Sequence, residues 1–182
     1  MNGLGILMVL LVAAPQGNRA LRLSGEAAEL IVEDASVLVP TGAFTVECWV
    51  RWDGPATATA SAPLLTLGGE DTVRLRVWLM QGGRNVYVEP GGGRVFGGKT
   101  TAGPGAWQHV AVAVDEGGCA IYGDGGLLTK VERSGVVPVA GGQWRFGGAG
   151  FDGLVDEVRI WDFARPMAAV EAERGFTIGT GS

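Results

Sequence analysis

A series of short runs in which apolar and polar residues alternate does most to decide what this chain can become, because a period of two places successive side chains on opposite faces of a strand. The runs are Ala20–Ser24, Glu29–Glu33, Phe44–Arg51, Leu64–Leu67, Val73–Met80 and Asn85–Glu89, followed by Trp107–Asp115, Ala120–Tyr122, Leu127–Val131, Gln143–Phe146 and Leu154–Asp162. Each is bounded by Gly, Asp or Pro, which is the pattern of a sandwich or barrel. Glycine supplies 32 of 182 residues against 8 prolines, and without a strict third-residue period this excludes collagen and favours tight turns. Asp124-Gly125-Gly126 between two apolar runs is a hairpin signal. Gly148 to Gly153 fits G-x-G-x-x-G, but a strand pattern follows where a phosphate-binding fingerprint needs a helix, so it reads as a turn. Only the stretch from Pro166 to Gly175 reads as helix. Asp53–Pro63 and the glycine-rich Gly91–Gly105 read as exposed loops. At 182 residues, 47% of them hydrophobic, the chain can bury one core and forms one domain.

Net charge is −5 and nowhere do several Lys or Arg cluster, so nothing tracks a phosphate backbone and nucleic acid is excluded as a partner. Cys48 and Cys119 lack a C-x-x-C spacing, which argues against zinc and thioredoxin-type sites. Residues 1–17 form a separate apolar segment, Leu4 to Val12 being its apolar run, too short to span a bilayer. It reads either as a signal-peptide h-region, though no Lys or Arg precedes Arg19, or as a retained assembly strand. In the second case burying even four of its large side chains is worth roughly 6 to 12 kcal/mol, enough to drive homo- or hetero-assembly.

Alternation puts Phe44, Val46, Cys48 and Val50 on the core face of one strand and Thr45, Glu47, Trp49 and Arg51 on the other. Cys48 is therefore expected to be a buried free thiol. In the last strand the same rule places Leu154, Asp156, Val158 and Ile160 together, opposite Val155, Glu157, Arg159 and Trp161. If the two strands are neighbours, Glu47 pairs with Arg159 beside Trp49 and Trp161. Such a surface either stacks sugar rings or is a structural ladder under a covering loop. Asp156, on a mostly apolar face, needs hydrogen-bond donors or a cation, which makes it the metal candidate. His109 is the only histidine and lies inside a strand, where a structural role outweighs a catalytic one.

Phe44-Thr45-Val46-Glu47-Cys48-Trp49-Val50, Trp107-Gln108-His109-Val110-Ala111-Val112, Tyr122-Gly123-Asp124-Gly125 and Phe151-Asp152-Gly153-Leu154-Val155-Asp156-Glu157-Val158-Arg159-Ile160-Trp161 stand in an order that resembles the laminin G-like, concanavalin A-like domains. The resemblance covers residues 18 to 174 and implies an all-β, two-sheet antiparallel jelly-roll sandwich with one short C-terminal helix, a domain over 18–176 and a tail over 177–182. It implies a recognition module for glycans or protein surfaces on a secreted, surface or virion protein, with a structural calcium near Asp156. Where similar pentraxins carry an acidic run before paired glycines, this chain has Val139-Ala140-Gly141-Gly142-Gln143. The Glu-x-Asp-x-x-Glu strand of glycosidases on this fold has no counterpart here, so the expected function is a non-catalytic extracellular module. The alternative is a structural assembly protein, such as a virion decoration or tail subunit or a cell-surface accessory.

Overall fold

The computed structural model describes residues 8–9, 20–25, 28–32, 42–55, 57, 59–68, 73–91, 95–132 and 142–173. Most of the 1–17 segment, Val139–Gly141, Gly175 and the 177–182 tail lie outside the described residues.

The strands in chain order are β1 (Met8–Val9), β2 (Leu21–Leu23), β3 (Glu29–Val32), β4 (Phe44–Trp52), β5 (Ser61–Gly68), β6 (Val73–Met80), β7 (Asn85–Pro90), β8 (Phe96–Lys99), β9 (Trp107–Asp115), β10 (Gly118–Gly123), β11 (Gly126–Glu132), β12 (Gln143–Gly147) and β13 (Gly153–Trp161). They form two antiparallel sheets. The first runs β1-β13-β4-β9-β10-β11 with β2 also on β13, and the second runs β3-β12-β5-β6-β7-β8. This is the expected jelly-roll sandwich. The helix α1 (Met167–Glu173) ends the described chain, with Pro166 O accepting from Ala169 N and Val170 N in its first turn.

The inward faces meet in one core. Phe44, Val46, Cys48 and Val50 are all buried, as alternation in β4 demands, and face Leu65, Val77 and Trp144 of the second sheet in the same cluster. Trp144 packs edge-on to Phe44 at 6.1 Å, and Trp52 to Phe151 at 6.0 Å, geometry that suits the ring quadrupoles. Across the layers, Gln108 of β9 donates to Gly83 O in the β6–β7 turn at 2.9 Å. The hairpin at Asp124-Gly125 joins β10 to β11 with both residues at positive φ, 50° and 79°, the conformation a two-residue turn of this kind requires.

Three expectations change. The Gly91–Gly105 loop contains the edge strand β8, because Gly97 and Gly98 serve close packing there: a Cβ on Gly97 would lie 2.5 Å from Val86 O, and one on Gly98 would lie 2.6 Å from Leu128 Cβ. Similarly, β5 begins at Ser61, inside the stretch read as loop. The third change is in β13, where the register shifts between Asp156 and Arg159 and Glu157 takes φ 48°. This bulge adds one residue and inverts the alternation beyond it. Val155, Val158 and Ile160 consequently face the core, while Asp156 lies opposite Trp49 on the outer face. At the N-terminus, Met8 and Val9 pair with Ile160 and Arg159 of the chain's own β13.

Candidate functional site

Each sheet has an outer face. On the first, β4 and β13 pair Glu47 with Arg159 and Asp156 with Trp49, so the four residues expected to form a ligand surface, Glu47, Trp49, Arg159 and Trp161, do come together. Of the four, Glu47 is buried, while Trp49, Arg159 and Trp161 are half-buried. The segment from Asp162 through α1 crosses this face as a strap, and Glu47 is 0% exposed beneath it. Arg165 Nη1 donates to both Glu47 oxygens at 2.7 Å, Trp161 Nε1 donates to Oε1 at 3.1 Å, and Arg159 Nη1 lies 3.5 Å away. His109 Nε2 sits 3.8 Å from Oε2 and its ring packs edge-on to Trp49 at 5.4 Å. The Arg165 guanidinium stacks over Trp161 at 4.3 Å. Thr45 fastens the strap, its hydroxyl donating to Phe163 O at 3.0 Å and accepting from Arg165 N at 2.8 Å.

Small side chains explain why the strap fits. Ala111 and Ala113 of β9 and Ala120 of β10 let Val170 and Ala164 approach the sheet closely, and they pack with Tyr122 in a second apolar cluster. Around Glu47 the face forms a ladder of charged and aromatic side chains beneath this segment. Arg165 was missed by sequence reasoning because it lies in coil between strand and helix, where no periodicity marks it.

Asp156, the metal candidate, lies on the outer face opposite Trp49 and not on the apolar one. It is half-buried on the outer face, with Oδ1 accepting from Glu157 N at 2.8 Å and Oδ2 buried without a partner. Glu157 pairs with Arg159, and burial pushes its carboxyl up from the usual range, with the Arg159 charge opposing. Among the described residues no group of three or more His, Cys, Asp or Glu could hold a metal. One unpaired oxygen beside a carboxylate committed to Arg159 does not fit the six to eight oxygens that calcium takes.

Both cysteines are free and buried. Burial pushes the Cys48 thiol up to about 12, helped by the Glu47 charge, and burial does the same to Cys119 with help from Asp115. Neither is a nucleophile at neutral pH. At the rim of this sheet Arg22 and Arg51 both hold Asp53, and Arg22 also reaches Asp152 at 2.6 Å. The Arg51 hydrogen bond, reinforced by the Arg51 and Arg22 charges, keeps the Asp53 carboxyl below the ordinary carboxylate range.

Among the described residues, nothing covers the outer face of the second sheet in this way. A groove of about 350 Å³ crosses it, lined by Glu29, Thr66, Arg76, Trp78, Arg145 and the Gly147–Ala149 turn. Register puts Arg145 of β12, Thr66 of β5, Arg76 of β6 and Glu89 of β7 in one row, and Pro63, Trp78 and Tyr87 in the next. The trough exists because short Thr66 stands between two long arginines. Trp78, Tyr87, Arg76 and Arg145 are all half-buried. None was singled out from sequence, although alternation in Val73–Met80 already sets Arg74, Arg76 and Trp78 opposite Leu75, Val77 and Leu79.

In sequence, residues 24–171 match the concanavalin A-like lectin/glucanases superfamily. No curated protein matches the chain. Among solved structures it is similar to the binding domain of botulinum neurotoxin DC in complex with rat synaptotagmin II, with 10% identity, a TM-score of 0.69, and 92% of this chain covered against 45% of that one. The binding domain of botulinum neurotoxin serotype G gives 12% identity and a TM-score of 0.70, covering 92% of this chain and 44% of that one. A Trypanosoma rangeli sialidase gives 17% and 0.68, with 89% and 29% covered. The chain spans less than half the length of each, and at these identities the likeness concerns the fold. With the family match running from before β3 into α1 and so taking in most of both sheets and the strap, the chain belongs to the concanavalin A-like lectin/glucanases superfamily.

Proposed function

We propose that this domain is a non-catalytic recognition module, on a secreted or cell-surface protein, that binds a glycan through the outer face of its six-stranded sheet. The groove carries this reading: a half-buried Trp78 beside Pro63 and Tyr87 offers an apolar platform, and flanking arginines offer fixed donors. A few placed polar groups around an aromatic surface are what a sugar ring needs for orientation. The similar neurotoxin structures include a binding domain in complex with rat synaptotagmin II and one of botulinum neurotoxin type C, whose cell entry depends on interaction with two ganglioside molecules. Those properties belong to longer proteins, and they support recognition in outline only. The non-catalytic half of the reading is supported by how the carboxylates gathered on the other face are used, with Glu47 bonded to Arg165 and Glu157 to Arg159.

A glycan array probed with the parent and with Trp78→Ala tests the reading. The parent is expected to retain a defined set of glycans, and the variant to lose roughly tenfold in affinity, the equivalent of about 1.4 kcal/mol of lost contact. Binding to a protein surface alone, with no glycan retained, would replace the glycan with a protein partner.

A further inference from the structure

We propose that the groove selects sugars bearing a carboxylate, held by Arg76 and Arg145; this rests on the glycan reading above and goes beyond it. The two arginines occupy one row on either side of Thr66, two strand spacings apart, which puts their Cα atoms about 9 to 10 Å from each other. A pyranose ring lies across such a gap with its acidic group within reach of a guanidinium.

Both guanidiniums are positioned but not used up. Arg76 lies 5.3 Å over the Trp78 ring, and its contact with Glu89 is a long 3.6 Å ion pair. Arg145 donates to Glu29 and Gln143 at 3.2 Å each. A guanidinium has five N–H donors in a planar fork that matches a carboxylate bidentately, so donors remain on each. Held on Trp78 and between side chains, these long residues have less rotamer freedom to lose when a ligand arrives.

Charge narrows the ligand further. The chain as a whole carries −5, so an anion is attracted only where cations are gathered. Here two arginines are balanced by Glu29 and Glu89 at the groove edges. The sum of these four charges is zero, so a carboxylate is held by the spare in-plane donors of a guanidinium rather than by excess positive charge, and a densely sulfated chain, which would press several charges against both glutamates, is disfavoured. Arg165 is buried against Glu47, and Arg159 is committed to Glu157 and Glu47.

The test is a panel of uronate-containing and sialylated oligosaccharides, their methyl esters, sulfated oligosaccharides and neutral ones, titrated against the parent, Arg76→Gln, Arg145→Gln and Arg145→Lys at low salt. The parent is expected to bind acidic forms roughly tenfold more tightly than their esters. Each Gln variant, melting like the parent, should lose that preference, its affinity for the acid falling much further than its affinity for the ester, and Arg145→Lys should recover part of it. Equal affinity for acid and ester, a preference for sulfated chains, or Gln variants that discriminate as the parent does would each overturn the carboxylate proposal and leave the glycan reading standing. No binding to any glycan would overturn both.

Discussion

The two outer faces hold the same kinds of residue, tryptophan, arginine and glutamate, and put them to opposite uses. On the seven-stranded sheet Glu47 and Arg165 are buried against each other beneath the strap, with Arg165 over a half-buried Trp161; on the six-stranded sheet Trp78, Arg76 and Glu89 all stay in contact with water. The same chemistry thus stabilises on one side and is left available on the other. What separates them is the floor. Alanines at 111, 113 and 120 let a segment lie down on the first face, whereas the second carries long side chains in alternating rows that no described segment covers.

The largest effect expected from this division is at Glu47. Glu47→Ala would leave the Arg165 guanidinium buried without its partner, a loss of about 3 to 5 kcal/mol, read as a drop in melting temperature of roughly 6 to 20 °C for a chain of this size. Arg76→Gln on the open face should stay within about 0.5 kcal/mol of the parent. Comparable losses from the two would erase the distinction between the faces.

Thr45→Val comes next. It removes the hydroxyl that both donates to Phe163 O and accepts from Arg165 N, leaving buried backbone groups unpaired at a cost of about 1 to 3 kcal/mol. Hydrogen exchange should rise first in residues 162–173, while β5 and β6 keep their protection. Uniform loss across both sheets would mean that the strap is not a separable layer.

A smaller effect is expected in acid. Because Asp53 titrates below its ordinary value of about 3.9 in the folded chain, its contribution is fully present above that value and is lost as pH falls through the lower, folded one. Thermal melts of the parent from pH 7 to pH 3 should therefore fall more steeply at the acid end than those of Asp53→Asn. Parallel curves would show that the exposed Arg22 arm of this cluster and its partners contribute nothing measurable. Smallest of all is the response to chelation: EDTA should leave the melting temperature unchanged. A drop abolished by Asp156→Ala would place a cation on its unpartnered oxygen and restore the calcium expectation.

Much of the fold is legible in the chain, and the reasons differ by element. The inward face of β4, the Asp124-Gly125 hairpin and the helix after Pro166 each follow from local rules acting on neighbouring residues. The bulge in β13 does not, since one extra residue inverts the parity on which every later assignment in that strand depends. The strand β8 was hidden by its glycines, which read as turn until Tyr87 and Leu128 are seen packed against them. The site was legible in part: Glu47, Trp49, Arg159 and Trp161 are neighbours as expected, but their cover comes from a residue 118 positions beyond Glu47. The groove needs the register of β12, β5 and β6 together, which no single stretch of sequence contains.

That separation of 118 positions between Glu47 and Arg165 also orders events during synthesis. The chain emerges from the ribosome N-terminus first, at roughly 5 to 20 residues per second, so Glu47 waits roughly 6 to 24 s for its counterion to be made. Until then β4 can gather neighbours but cannot settle as a central strand with its carboxylate dry. The open groove, by contrast, draws its last lining residue, Ala149, from the chain 16 residues sooner, so every side chain of the groove is made before the counterion that lets Glu47 be buried.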